Sequence, residues 1–334
     1  MKRNTIIAVV VLLVVSIALF AVWKNTQTRA KYRGPLQKVT LQLKWLHQAQ
    51  FAGFYAAAQE GFYKDEGLDV TIQPIGQDLS EGNVINRVDS GEVQFAVVGG
   101  DKVISARSEG KQIKAVAVIF QQSPVVLATL QSSGIKNLRD LVGKKIAIEK
   151  GQNTETIYRA MMNRAGVDTR KVKEVTVPLG LAPLAKGQAD ARMIYLINEA
   201  LEYSKNGFLL NMIYPEDYDI QIYADTLVTS DKLINSNPDL VQRFVRASLK
   251  GWNWSIVNPI EAGQLSLKYN PQLFAVHEDN MMEAELPLVY TGKISIGGMD
   301  PAIWSKMVLT LLEEHLIKNK VRVEDIFTTQ FLQP

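Results

Sequence analysis

The stretch LKWLHQAQFAGFYAA, residues 43–57, offers an indole, an imidazole and a carboxamide side by side at Trp45, His47 and Gln48. Such a set can stack on a flat ring and hydrogen-bond its edge. Three other short stretches carry comparable chemistry. They are Gly99-Gly100-Asp101-Lys102, the GQNT of residues 151–154 with Asn153 and Thr154, and the YLINE of residues 195–199 with Tyr195, Asn198 and Glu199. Carboxamides, hydroxyls and aromatic faces in this mixture suit a neutral or weakly charged heteroaromatic molecule. A phosphate would ask for a basic cluster, and none accompanies them. The only histidines, His47, His277 and His315, have no HxxxH or HxxE spacing, and there is no cysteine. Metal-ligand spacing, disulfides and a thiolate nucleophile are therefore excluded as organising features. Gly99-Gly100 forms neither a GxGxxG fingerprint nor a P-loop.

Each residue also has a structural reading. Trp45 can cap a core, as buried tryptophans do, and His47 can sit on a surface loop. Asn153 and Thr154 suit a helix cap. Glu199, in the first turn of a helix, is favoured by the helix dipole alone.

The four stretches become one site if the chain positions them together. Leu41, Leu43 and Trp45 alternate as in a half-buried strand, and Phe51, Phe54, Tyr55, Ala58 and Phe62 share a helical face. Strand-like and helix-like segments keep alternating. Strands are expected at 39–45, 69–72, 93–98, 113–120, 125–130, 145–149, 172–177, 191–196 and 220–228. Helices are expected at 51–59, 84–88, 102–107, 138–141, 154–164, 181–186 and 198–205. Long amphipathic helices, such as 238–254 and 301–316, complete the chain. This is an α/β pattern with mainly parallel sheets. Gln121-Gln122-Ser123-Pro124 breaks the rhythm and reads as a crossing between lobes. The expected division is residues 35–124 with 225–334 as one discontinuous lobe and 125–224 as the second. In such sheets ligands bind beyond the strands' carboxyl ends, where all four stretches lie.

The chain has 334 residues, a length that suits two cores. Its formal charge of +3 comes from the amino terminus: Lys2, Arg3, Lys24, Arg29, Lys31 and Arg33 are its charged residues before position 35. The other 31 basic and 34 acidic side chains leave residues 35–334 at −3, with no nucleic-acid footprint. Lys2-Arg3 precede the uncharged run Ile6–Trp23, which is long enough for a membrane anchor and lacks a convincing cleavage site. Residues 1–34 are thus expected to be a transmembrane anchor or signal helix and linker. A cleaved leader, giving a secreted or periplasmic protein, is the alternative.

LKWLHQAQFAGFYAAAQEGFYKDEGLDVTI, VDSGEVQFAVVGGDKVISARSEG, VAVIFQQSP and LVGKKIAI resemble the NMT1/THI5-like substrate-binding proteins of ABC importers. The resemblance runs from about Val39 to the helical end. It implies a two-lobed periplasmic-binding-protein fold of type 2 with a hinge, held outside the cytoplasm at the cell membrane, with a permease as partner. It implies capture of a heteroaromatic vitamin without any resident cofactor. Some fungal relatives are synthases with a cofactor-binding lysine, a donor histidine and a cysteine-rich run. This chain carries Val98 and Lys102 at the first two places and no cysteine, so no enzyme activity is expected. Pyrimidine binders of the family carry Asp-Trp or Asn-Trp where this chain has Lys44-Trp45. Riboflavin is therefore the favoured ligand, its ribityl chain meeting Gln152, Asn153 and Thr154, with a thiamine pyrimidine precursor as the alternative. A membrane-tethered ligand sensor is a further reading. The residues expected at the site are Trp45, His47, Gln48, Gly99, Gly100, Asn153, Thr154, Tyr195, Asn198 and Glu199.

Overall fold

The computed structural model describes residues 32, 34–77, 80–176 and 180–332. The apolar run Ile6–Trp23 lies outside them, and no helix among the described residues is long and apolar enough to cross a membrane. Ten strands follow in chain order: β1 (Gln37–Gln42), β2 (Leu68–Gln73), β3 (Phe95–Gly99), β4 (Ile113–Val118) and β5 (Val125–Leu130). Then come β6 (Lys145–Ala147), β7 (Lys173–Val175), β8 (Ala191–Tyr195), β9 (Leu210–Ile213) and β10 (Asp225–Ser230). They form two five-stranded sheets, ordered β2-β1-β3-β10-β4 and β7-β6-β8-β5-β9.

The two sheets follow one plan. In the first, β2, β1 and β3 are parallel, while β10 is antiparallel to both β3 and β4. In the second, β7, β6 and β8 are parallel, and β5 is antiparallel to β8 and β9. The reversed strand in each sheet is the one by which the chain arrives from the other, through residues 119–124 for β5 and 214–224 for β10. Parallelism therefore holds for four strands of each sheet.

Burial on both faces explains the uninterrupted apolar runs. In β3, Phe95 and Val97 pack with Phe244 and Trp252, while Ala96 and Val98 pack on the opposite side with Val84, Val103 and Trp304. Phe95 stacks on Phe244 with ring centroids 3.8 Å apart. Helix Ala52–Gln59 lies against helix Pro238–Val257 at a crossing where glycine is required. A Cβ on Gly251 would stand 2.1 Å from the Gly53 carbonyl oxygen, and one on Gly53 would stand 2.1 Å from the Trp252 ring. This close approach fixes the helix that follows Trp45–Gln50.

Elements depart from the sequence pattern in several places; β1, expected to run to Trp45, ends at Gln42. β10 starts at Asp225 instead of position 220, because Ile220 and Ile222–Ala224 are buried in the crossing segment without joining the ladder. β9 (LNMI) has too little alternation to be read as a strand, yet it pairs along β5.

Candidate functional site

The strand-to-helix junctions of the two sheets face each other across a cleft. A small cavity there is lined by Lys44, Trp45, Gln48 and Gln50 from the first sheet's side. From the second it is lined by Glu149, Gln152, Asn153, Thr154, Met193, Ile194, Tyr195, Asn198 and Glu199. Seven of the ten expected residues thus share one wall system: Trp45, Gln48, Asn153, Thr154, Tyr195, Asn198 and Glu199. Trp45 is half-buried and packs on the first sheet's core while also facing the cavity. The core-packing reading holds, and the indole also forms part of the cavity wall.

Three expected residues stand elsewhere. His47 is not in the lining; its Nδ1 lies 3.0 Å from the Tyr55 hydroxyl and its ring packs 5.3 Å from Tyr269. Burial holds this imidazole below its usual pKa, so it is neutral at pH 7. Gly99 and Gly100 have their amides committed. Gly99 donates to Glu81 Oε2 at 2.6 Å and Gly100 to the Tyr223 carbonyl at 3.0 Å. Their lack of side chains answers to packing, since a Cβ on Gly99 would lie 2.8 Å from the Asn153 Cβ. The Gly99 amide is thus taken by a carboxylate of the protein and the Gly100 amide by a backbone carbonyl.

The cavity's electrostatics centre on Lys44, which the sequence pattern left as a missing ring-edge partner. Its ammonium is buried 3.0 Å from the Tyr195 hydroxyl, 3.5 Å from Asp225 and 3.8 Å from Glu81. Burial works against the charge, but the attraction of Glu81, with Tyr195 and Asp225, outweighs it and raises the pKa above the usual lysine range. Tyr195 passes the bond on, donating to Asn153 Oδ1 at 3.1 Å. Glu81 accepts the amides of Gly99 and Asn153, the latter at 2.8 Å, and so holds the helix starts of both lobes. A second chain of bonds crosses the cleft nearby. His277 Nε2 contacts Asn198 Oδ1 at 2.8 Å, Asn198 donates to Gln48, Gln48 to Gln50, and Gln50 to Asp225 at 2.8 Å. On the second lobe, the Arg192 guanidinium bonds Glu149 at 2.5 Å, Glu199 at 3.5 Å and the Gly180 carbonyl at 2.6 Å. Burial raises the Glu199 pKa, with Arg192 opposing.

Lys44, Glu81 and Asp225 escaped sequence reasoning because their pairing is long-range. The available signal was a lone charge inside or beside an apolar run, as in IQIYADTLV.

Two buried groups in the lining accept or donate nothing within the described residues: Asn153 Nδ2 and Thr154 Oγ1. Unpaired buried polar atoms are costly, so these two are unmet hydrogen-bonding groups of the lining. The cavity's volume is only about 30 Å³, enough for a water or two. A flat ring needs more room than this. Among the described residues no His, Cys, Asp and Glu group could hold a metal ion.

Comparison with known proteins bears on this site. Residues 48–262 match the family described as NMT1/THI5 like. The chain is 28% identical to the riboflavin-binding protein RibY of Chloroflexus aurantiacus, over 89% of this chain and 86% of that protein. It is 26% identical to the formylaminopyrimidine-binding protein of Halalkalibacterium halodurans, over 88% and 90% of the two chains. At 22% it matches a 4-amino-5-hydroxymethyl-2-methylpyrimidine phosphate synthase of Legionella pneumophila, over 88% and 92%. Among solved structures, the periplasmic aliphatic sulphonate-binding protein SsuA of Escherichia coli superposes with a TM-score of 0.67 at 15% identity, covering 86% of this chain and 91% of that one. The likeness shows the two-sheet α/β fold of periplasmic binding proteins.

Proposed function

The chain belongs to the NMT1/THI5-like family, and from that premise we propose that it is the extracytoplasmic substrate-binding component of an ABC importer, with riboflavin as its cargo. Residues 35–124 and 225–334 form one lobe, 125–224 the other, and residues 119–124 and 214–224 the hinge between them. The observation that carries the reading is the interlobe cavity, where Trp45 and Tyr195 offer aromatic surface and Asn153 Nδ2 and Thr154 Oγ1 await a ring edge. The name of the riboflavin-binding relative points the same way. Opening admits the ring, and closure buries its apolar faces at ~25 cal/mol per Å². Ile6–Trp23 tethers the protein to the membrane, where a permease receives the ligand.

No catalytic step is assigned. The lining holds no nucleophile beside a base, and the site's lysine is locked among carboxylates. The smallness of the cavity favours a second reading, a single-ring thiamine pyrimidine precursor, which the formylaminopyrimidine-binding relative supports. Purified protein is tested by flavin absorbance and then by thermal shift against riboflavin, aminopyrimidines and alkanesulfonates. Stabilisation by riboflavin alone supports the first reading, by a pyrimidine alone the second. Silence toward both removes the vitamin-binding role.

A further inference from the structure

Three carboxylates and two ammonium groups of the first lobe lie against the second, shielded from water. The side chains of Lys44, Glu81, Asp101 and Asp225 are no more than 3% exposed, and that of Lys102 is 16% exposed. The second lobe meets them with neutral groups. The Tyr195 hydroxyl is 3.0 Å from Lys44, the Asn153 amide 2.8 Å from Glu81, and the Thr156 hydroxyl 3.0 Å from Lys102. Glu81, Asp101 and Asp225 against Lys44 and Lys102 leave one negative charge unmatched between the lobes.

Hydrogen bonding decides which acid bears the excess. Glu81 accepts the Gly99 and Asn153 amides, while Asp225 accepts from Gln50 and lies 3.5 Å from Lys44. Neither oxygen of Asp101 accepts a hydrogen bond within the described residues, and the Lys102 ammonium is 3.9 Å away. The other charges acting on Asp101 are Glu81, from helix Glu81–Ser90, and Lys44, from the turn after β1. Asp225 at the start of β10 lies beyond Lys44. Helix Asn153–Arg164 turns the Thr156 hydroxyl toward Asp101. Helix Pro301–Glu313 meets the Asp101 helix through Met307, and helix Val323–Ile326 meets it at its opposite end, at Arg107. Burial therefore pushes the Asp101 carboxyl up, against the pull of Lys102. Glu285 is a further buried acid, but its acidic neighbours Asp225 and Glu278 both belong to the first lobe.

We propose, resting on the lobe motion of the reading above, that closure takes up one proton on Asp101, so that acid favours the closed form and alkali the open one. Parted lobes return Asp101 to water and to an ordinary aspartate pKa of about 3.9. Below that value both forms carry the proton, and pH has no effect. Above it the closed form holds one proton more, and the closed-to-open ratio falls by up to about tenfold per pH unit. The fall ends once pH passes the raised value of the closed form.

The chain has no cysteine, so a labelled pair can be introduced without background. Gln77→Cys and Lys150→Cys put spin labels at exposed positions on the two sides of the cleft. Dipolar electron spin resonance on the ligand-free full chain in detergent, from about pH 4.5 to about pH 8, reads the short and long separations. The long separation is expected to gain on the short one by at least about tenfold over that range. Asp101→Asn should hold the ratio at its acid value throughout. Infrared difference spectra between the same limits supply a second readout: the band of protonated carboxyl groups lost toward alkali should be smaller in Asp101→Asn. A ratio that does not move with pH overturns proton-linked closure. A ratio that moves as far in Asp101→Asn, or an infrared band that the substitution leaves unchanged, overturns Asp101 as the carrier. No ligand is present, so neither result bears on vitamin binding, which its own thermal-shift screen decides.

Discussion

Replacing Lys44 with methionine keeps the length of the side chain and removes its charge from among Glu81 and Asp225. The ammonium is only 3% exposed, and its two carboxylate neighbours are 0% and 2% exposed. Removing one member of such a buried set leaves the others uncompensated, at a cost of about 3–5 kcal/mol. For a chain of this size that corresponds to a melting point lower by roughly 4–7 °C. The pH dependence sharpens the test. In the wild type, Lys44 has a raised pKa, so its contribution is complete below the unfolded lysine value and is lost only as pH climbs through the higher folded value. Between pH 5 and 8 it is constant. In Lys44→Met, burial lifts the Asp225 pKa with no ammonium to oppose it, so folding favours the protonated acid. The variant should therefore lose stability as pH rises from the unfolded carboxylate range. Differential scanning calorimetry at pH 5 and pH 8 measures both effects. Adding Asp225→Asn should recover part of the loss. A Lys44→Met protein that melts within about 2 °C of wild type at both pH values would refute the account of Lys44 as the charge that holds this site together.

Trp45→Ala should weaken ligand binding by ~1–3 kcal/mol if the indole stacks on the ring; isothermal titration measures this, and unchanged affinity removes Trp45 from the site. Glu278 has its pKa raised to about 6 by burial, against the Ala49 and Ser266 hydrogen bonds. Its ionisation should cost stability progressively as pH rises from about 4.5 through 6, and Glu278→Gln should abolish that slope in a series of melting curves. Gly251→Ala should destabilise by at least ~1–3 kcal/mol in urea unfolding, because the new methyl meets backbone at 2.1 Å and 2.7 Å with no flexible side chain to yield. Tyr195→Phe removes the bond that Lys44 makes across the cleft, so small-angle scattering of the free protein should show a larger radius of gyration.

Local pattern carried the fold a long way. The alternation of strand and helix and the restart after Pro124 are properties of neighbouring residues, and the two sheets follow them. β9 was invisible because a four-residue edge strand with half-buried residues has no period to read, and its existence depends on β5 lying beside it. The reversal of β5 and β10 within otherwise parallel sheets was hidden for a similar reason: strand direction depends on where a crossing chain lands. At the site, residue type pointed to Trp45, Asn153, Thr154 and Tyr195, since aromatic and amide groups at strand ends are unusual. His47 stands outside the lining because Tyr55, on the helix beginning just beyond it, and Tyr269, distant in sequence, pack on its ring. Gly99 failed because Glu81, distant in sequence, reaches its amide first.

Glu81 also has a kinetic meaning. One carboxylate grips Gly99 on one side of the cleft and Asn153 on the other, with bonds of 2.6 and 2.8 Å that no longer exist once the gap widens by about an ångström. Release of a cargo held in this cleft would require both bonds to break, so an acid outside the wall of the chamber should lengthen its stay.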